Sequence, residues 1–482
     1  MKEEKKKKRR ERRKKNLTGL IQFGLEDAAN GSDAERCENP KAEKPPIVSL
    51  SEAAAKLDPS ELRVVIEEAL DKYWNIPEKL IMKLNAFYGK KLSQVPFPWL
   101  KTFNESPLST LIHVPLSHLA TSLLEISADL INMIPRYKLS SFILWSSDNI
   151  ITDWANQEYV QPEDPAHTMV AHFIGLAVVL RTKPDALTSI LPSLRRRPVY
   201  QGHDKLPLIV WMMAQASLGD LSAGLYSWVH NLLPLLVDNN KCCSPQSMDL
   251  ILQFLDIMLS NPEAQTILVN RADRDGKRVI PPSSFEILLR LTFPDSSARL
   301  EVTERFEAVY HLLKEVALAP ESSATGGNAM EEIFTFSLKL VGEGNPGLAK
   351  EAAAIALRSV TENVDCFKHW DILYNDHLEA SVSLLRKLVD EWKDHSPNLL
   401  LSPGGTLTVN QAIKSFRLKN EKAITEGGAN CSLYEKADKS CKLLSWRLSR
   451  ASGLLKITLL VSACTCAGGV AGAALALAYQ QA

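Results

Sequence analysis

Nothing along the 482 residues spells out a catalytic site. There is no GxSxG elbow, no HExxH pair, no glycine-rich dinucleotide loop and no phosphate loop ending in its lysine. Those chemistries are thereby excluded as far as local motifs carry them, so no catalytic and no cofactor-binding residue is assigned. Cysteine is sparse and unpatterned: Cys37, Cys242, Cys243, Cys366, Cys431, Cys441, Cys464 and Cys466. None falls at a CxxC or Cys/His zinc spacing, so no metal ligand is assigned, and a reducing compartment fits better than a disulfide scaffold. A secretory leader is lacking as well. The apolar run LTGLIQFGL at 17–25 is short, broken by Gln22 and two glycines, and followed by acids.

Net charge is also absent: 56 Lys and Arg balance 56 Asp and Glu. The balance hides a segregation. Residues 1–15 (MKEEKKKKRRERRKK) carry a net +8, residues 414–456 a net +6, and no charge follows Lys456, which leaves 16–413 at −14. An acidic body does not offer phosphates a basic surface, so no nucleic-acid partner is expected for it. The terminal basic run reads as a solvated arm, with nuclear import or RNA contact as its specific alternatives.

What is present is helical periodicity. After a basic arm over 1–46 that is expected to be disordered, KLDPSELRVVIEEALDKYW places a cap at Asp58, Pro59 in the first turn and Glu61 at capping-box spacing. Leu62, Val65, Ile66, Ala69, Leu70 and Tyr73 then share a face. A second helix follows over PEKLIMKLNAFYGKK. Further helical runs are read at 115–133, 139–155, 166–181, 208–233, 246–260, 299–318, 330–341, 347–362 and 372–393, with connections at 318–328 and 395–406. The expected fold class is all-α, an α-solenoid-like helical array over 47–396 in which helices stack antiparallel. No fixed repeat period is present, and an irregular all-α globule is the alternative.

The last stretch is different in kind. From Ile457 to Tyr479 no side chain is charged. Twenty-three residues at about 1.5 Å each span roughly 35 Å, enough for a hydrocarbon core of about 30 Å. Lys439, Lys442, Arg447, Arg450 and Lys456 precede it, as on a cytosolic flank. A C-terminal transmembrane helix over 457–479 is therefore expected, preceded by a linker and basic juxtamembrane helix over 397–456. A buried core helix is the competing reading. A span this late would insert after synthesis, as tail-anchored proteins do. Cys464, Gly468, Gly472 and Ala476 recur every four residues, a small-residue stripe suited to a homo-oligomer contact. The segment 432–456 sets Leu433, Leu443, Leu444, Trp446 and Leu448 among cations and is expected to lie on an anionic lipid bilayer surface.

Three near misses carry a bland reading. RADRDGK brings Asp273, Asp275 and Gly276 together, but Arg271 and Pro282 would hold the first and twelfth places of a calcium loop, so a tight turn is expected. His167 and His172 are five apart, off the spacing for a shared metal. Arg195, Arg196 and Arg197 suit either a phosphate or acidic partner or internal ion pairs. Asn16, Asn30, Asn104 and Asn430 each open an N-x-[ST] sequon and report on topology.

One region is distinctive as a string. EAAAKLDPSEL, FPWLKTF and SPLSTLIHVPLSHL, within residues 48–119, resemble the transmembrane protein 214 family in its plant branch, and the resemblance runs from about residue 45 to the apolar tail. It transfers no catalytic residue. It implies an integral membrane protein of the endoplasmic reticulum, whose animal member is tied to stress-induced apoptosis by anchoring an inflammatory-type procaspase. Family members carry a longer N-terminal region and a second hydrophobic segment, so this chain is expected to be short for the family. Plants lack true caspases, so a caspase-like protease as partner is implied for the animal relatives alone. The expectation is a non-enzymatic scaffold with its body in the cytosol, tethering a protein partner. The alternative is a soluble basic-tailed RNA- or chromatin-associated protein whose tail is a core helix. An enzyme with a site assembled from distant residues is the third.

Overall fold

The computed structural model describes residues 49–465 apart from 93–94, 96, 157–164, 238–243, 296–300, 321–327 and 403; for 301–302 and 451–465 it describes the backbone alone. The expected arm over 1–46 and the connection at 321–327 lie outside the described residues. The fold is all-α, with about 80% of the described residues in helix. Among the described residues the one strand pair is Asp273–Arg274 with Lys277–Arg278, antiparallel around Asp275 at φ 46° and Gly276 at φ 71°. That is the tight turn expected for RADRDGK, since Asp-Gly tolerates left-handed backbone.

The first core forms around two helices that are apolar on every side. Met169–Thr182 buries every residue from Met169 to Leu180, and Leu206–Gly219 buries Leu208 through Ser217. A helix without a polar face must be enclosed, and Pro77–Leu92, Thr121–Met133, Arg136–Asn156 and Pro245–Leu259 pack around the pair. Trp99 stacks on Phe173 at 4.2 Å between ring centres, and Trp211 donates its indole N–H to the carbonyls of Leu111 and Val114 at 3.1 Å. Such satisfied indoles fit inside a core without a polar penalty.

A second core is added across a shared wall. Ala329–Val341 and Pro346–Glu362 send Ile333, Phe336 and Ile355 into the first core and Phe334, Leu338 and Leu357 into the second. The first core is built on two enclosed helices, and the second is layered against it across this helical wall.

Several boundaries differ from the sequence reading for local reasons. The run 208–233 is broken at Asp220, whose carboxylate caps the next helix by accepting from Ser222 N at 3.0 Å. Gly219 there passes so close to the Arg181 carbonyl that a Cβ would sit 2.0 Å from it. The run 372–393 is two helices, Cys366–Leu373 and Leu378–Asp390. The connection read at 395–406 is mostly the helix Trp392–Leu401, which runs through Pro397 because Ser396 and Leu399 are buried. At the start, Asp58 caps Ser60 N at 2.9 Å, whereas Glu61 reaches out to Lys91 at 2.7 Å instead of closing a box. The reciprocal box forms one helix earlier, between Ser49 and Glu52.

Candidate interaction surface

The near misses resolve into structure. His172 is fully buried, its ring edge-on to Trp145 at 4.8 Å and its Nδ1 3.4 Å from Ser146 Oγ. Burial, with His167 nearby, pushes its imidazole down to about 4. No group of three metal-ligating side chains exists among the described residues. Of the arginine triplet, Arg197 binds Asp148 at 2.8 Å, while Arg195 and Arg196 donate to the carbonyls of His230 and Pro192 at 3.2 Å. Internal ion pairing accounts for Arg197, while Arg195 and Arg196 stay exposed. The RADRDGK hairpin holds helices together: Arg274 donates to Asp220 at 2.8 Å and also to Asp185.

One surface that combines exposed apolar and basic side chains lies at the C-terminal end. Gly405–Glu426 and Cys431–Thr465 form an antiparallel pair joined through Gly427, whose φ of 66° ends the first helix in the left-handed region. Val409, Ile413 and Phe416 face Ala437, Cys441, Leu444 and Leu448 in the second core. Phe416 stacks on Tyr374 at 4.4 Å, and Asn420 accepts from the Tyr374 hydroxyl at 2.9 Å. Asp438, nearly buried, pairs with Lys442 at 2.7 Å and Arg417 at 3.5 Å. Thus residues 405–448 pack as part of the helical body.

This packing divides the apolar set that the sequence placed on one lipid-facing side. Leu444 and Leu448 are buried and Leu433 is half-buried against the same core, whereas Leu443 is 48% and Trp446 55% exposed. The signal was readable: 437, 441, 444 and 448 repeat at 4, 3, 4, and so mark the inner face. The outer face carries Lys436, Lys439, Leu443, Trp446 and Arg450, with Arg450 over the Trp446 ring at 4.9 Å. Its cations are strongly placed for acidic or aromatic partners.

The same helix continues without a break through Ile457 to Thr465, the first nine residues of the uncharged stretch. Residues 466–479, with Gly468, Gly472 and Ala476, lie outside the described residues, and so does the side chain of Cys464. Among the described residues no helix is long and apolar enough to cross a membrane. Elsewhere, an open groove of about 580 Å³ runs past Leu218, Asp220, Ile257 and Arg271, but Asp220 is already committed to Arg274.

Comparison with known proteins decides the family. A family model described as "TMEM214, C-terminal, caspase 4 activator" matches residues 1–467. The chain belongs to the transmembrane protein 214 family. Transmembrane protein 214-A of Xenopus laevis is 24% identical over 404 residues, covering 82% of this chain and 53% of the relative. Transmembrane protein 214 of Bos taurus is 24% identical over 412 residues, with the same coverage of 82% and 53%, and that of Homo sapiens 25% over 291 residues, covering 58% and 37%. The chain spans about half the length of these two Xenopus laevis and Bos taurus relatives. No solved structure matches.

Proposed function

We propose that this chain is a non-enzymatic scaffold of the endoplasmic reticulum, held by residues 457–479 as a single membrane span with its helical body facing the cytosol, where it tethers a protein partner. The observation that supports it most is the unbroken helix from Cys431 into the uncharged stretch. The body's second core and the candidate anchor share one element, so a span there would hold the body in a fixed attitude. A span also confines the body to two dimensions and raises its effective concentration for partners. The family description, a caspase 4 activator, supports a caspase-like protease as the class of partner in animal relatives and a link to cell death. Family membership supports the membrane setting.

Topology tests the reading. Microsomes carrying the full chain are expected to expose the body to protease without detergent and to leave Asn430 unglycosylated, as well as Asn16 and Asn30. Asn104 and Asn430 are both exposed on the body, although Pro107 after the sequon at Asn104 makes it the poorer reporter. A glycosylated, protected body would place it in the lumen and sink the cytosolic scaffold.

A further inference from the structure

We propose that the outer stripe Lys436, Lys439, Leu443, Trp446 and Arg450 is the docking face for an acidic amphipathic helix of a partner protein. The inference deepens the scaffold reading and rests on residues 457–479 spanning a bilayer. The five positions recur at 3, 4, 3, 4, so they form one line along the helix, about 21 Å long at about 1.5 Å per residue. Two large apolar side chains, Leu443 and Trp446, stand open on it while the opposite face is consumed by the second core. Among the described residues Lys436 and Lys439 make no ion pair; of the two acids beside them, Asp438 is nearly buried and paired with Lys442 and Arg417, which leaves Glu435 exposed. A helix that presents apolar side chains flanked by carboxylates satisfies both features together: knobs seat around Leu443 and Trp446, and the acids meet the lysines.

Anionic lipid would satisfy the same charges, but the geometry disfavours it. Because the helix is unbroken to Thr465, the stripe runs parallel to the span and does not lie flat on the bilayer. Trp446 precedes Ile457 by eleven residues, or roughly 17 Å along the axis. The headgroup layer reaches only about 5–8 Å beyond the hydrocarbon, and a tilt of about 20° changes the height little. The face therefore points sideways, toward something standing on the same membrane. A second copy docking stripe to stripe would set Lys436, Lys439 and Arg450 against their own kind, which like-charge repulsion disfavours.

The test uses the full chain in zwitterionic nanodiscs and a labelled helical peptide of about 21 residues, with leucine at the a and d positions and glutamate at e and g, followed by fluorescence anisotropy. The peptide is expected to bind, and Trp446→Ser to weaken it about tenfold or more. The pair Lys436→Glu with Lys439→Glu, which alters no buried side chain, should do the same. Failure of the acidic peptide to bind, or either variant binding it as tightly as the native chain, overturns the proposal. So does shielding of Trp446 from a soluble quencher by phosphatidylserine discs in place of peptide binding, which would assign the face to lipid. A dimer dissolved by Trp446→Ser would assign it to a second copy and overturn it equally. Alkaline extraction of the same chain from vesicles reports separately on the span: a chain that washes off yet binds the peptide removes the anchor and leaves the docking face.

Discussion

At the scale of single residues, the most demanding side chain is His172. It is fully buried, and burial holds its imidazole down to about 4 against an ordinary value of 6.5, with the neighbouring His167 adding to the effect. The unfolded chain therefore binds a proton that the folded one refuses. Stability from this group is complete above about pH 6.5 and is lost as pH falls toward about 4, by roughly 3 kcal/mol at most. Thermal melting followed from pH 7 to 5 should show that slope, and His172→Gln should flatten it; equal slopes would contradict the assignment. Arg274 makes a second demand. Burial alone would raise the Asp220 carboxyl, but the hydrogen bond and charge of Arg274 outweigh it and hold it below its ordinary value. Arg274→Met leaves Asp185 without its arginine and Asp220 with Arg271 alone at 3.2 Å, and the expected loss is about 3 kcal/mol by chemical denaturation. Thiol chemistry should rank by burial too. Cys366 and Cys441 are buried, and burial pushes each thiol up to about 12. Alkylation of the native protein should therefore reach the half-buried Cys431 well before either.

At the scale of elements, the two faces of Cys431–Thr465 make opposite predictions. Leu448→Ala opens a cavity in the second core and should cost about 2–5 kcal/mol. Trp446→Ser, on the outer face, forfeits a cation–π contact with Arg450 and should stay within about 1 kcal/mol. Reversal of that order in denaturant melts would mean the faces are assigned the wrong way round. The same helix shows how far sequence reading goes. Periodicity and capping found helices such as Pro59–Tyr73 and Glu301–Ala317, but they missed Pro282–Thr292 and placed Gly405–Glu426 in a linker. They could not divide the run 208–233, because an enclosed helix has no polar face to reveal its register and its break lies where Gly219 passes close to the Arg181 backbone. They also merged two apolar faces of 432–456 into one, because hydropathy alone does not say which leucines a distant Trp370 or Phe416 will cover. The hairpin at Asp275–Gly276 was legible as a turn, but its use in placing Arg274 between two helices depends on contacts tens of residues away.

At the scale of the whole molecule, charge and helix continuity belong together. An acidic body, a basic C-terminal hairpin and an uncharged stretch follow one another along the chain, with the last two joined in one helix. That order is the one expected where a cytosolic domain meets an anionic membrane leaflet. The family was legible from the strings in 48–119, and the family match over residues 1–467 bears it out. The partner was not legible, since no motif encodes a docking surface whose apolar residues become distinguishable from core only once the core is built. The central claim is that residues 457–479 hold this body on a membrane. Alkaline carbonate extraction of membranes carrying either the full chain or a chain ending at Lys456 tests it most directly. The account predicts that the full chain stays in the pellet and the shortened one is released; a full chain released into the supernatant would contradict it.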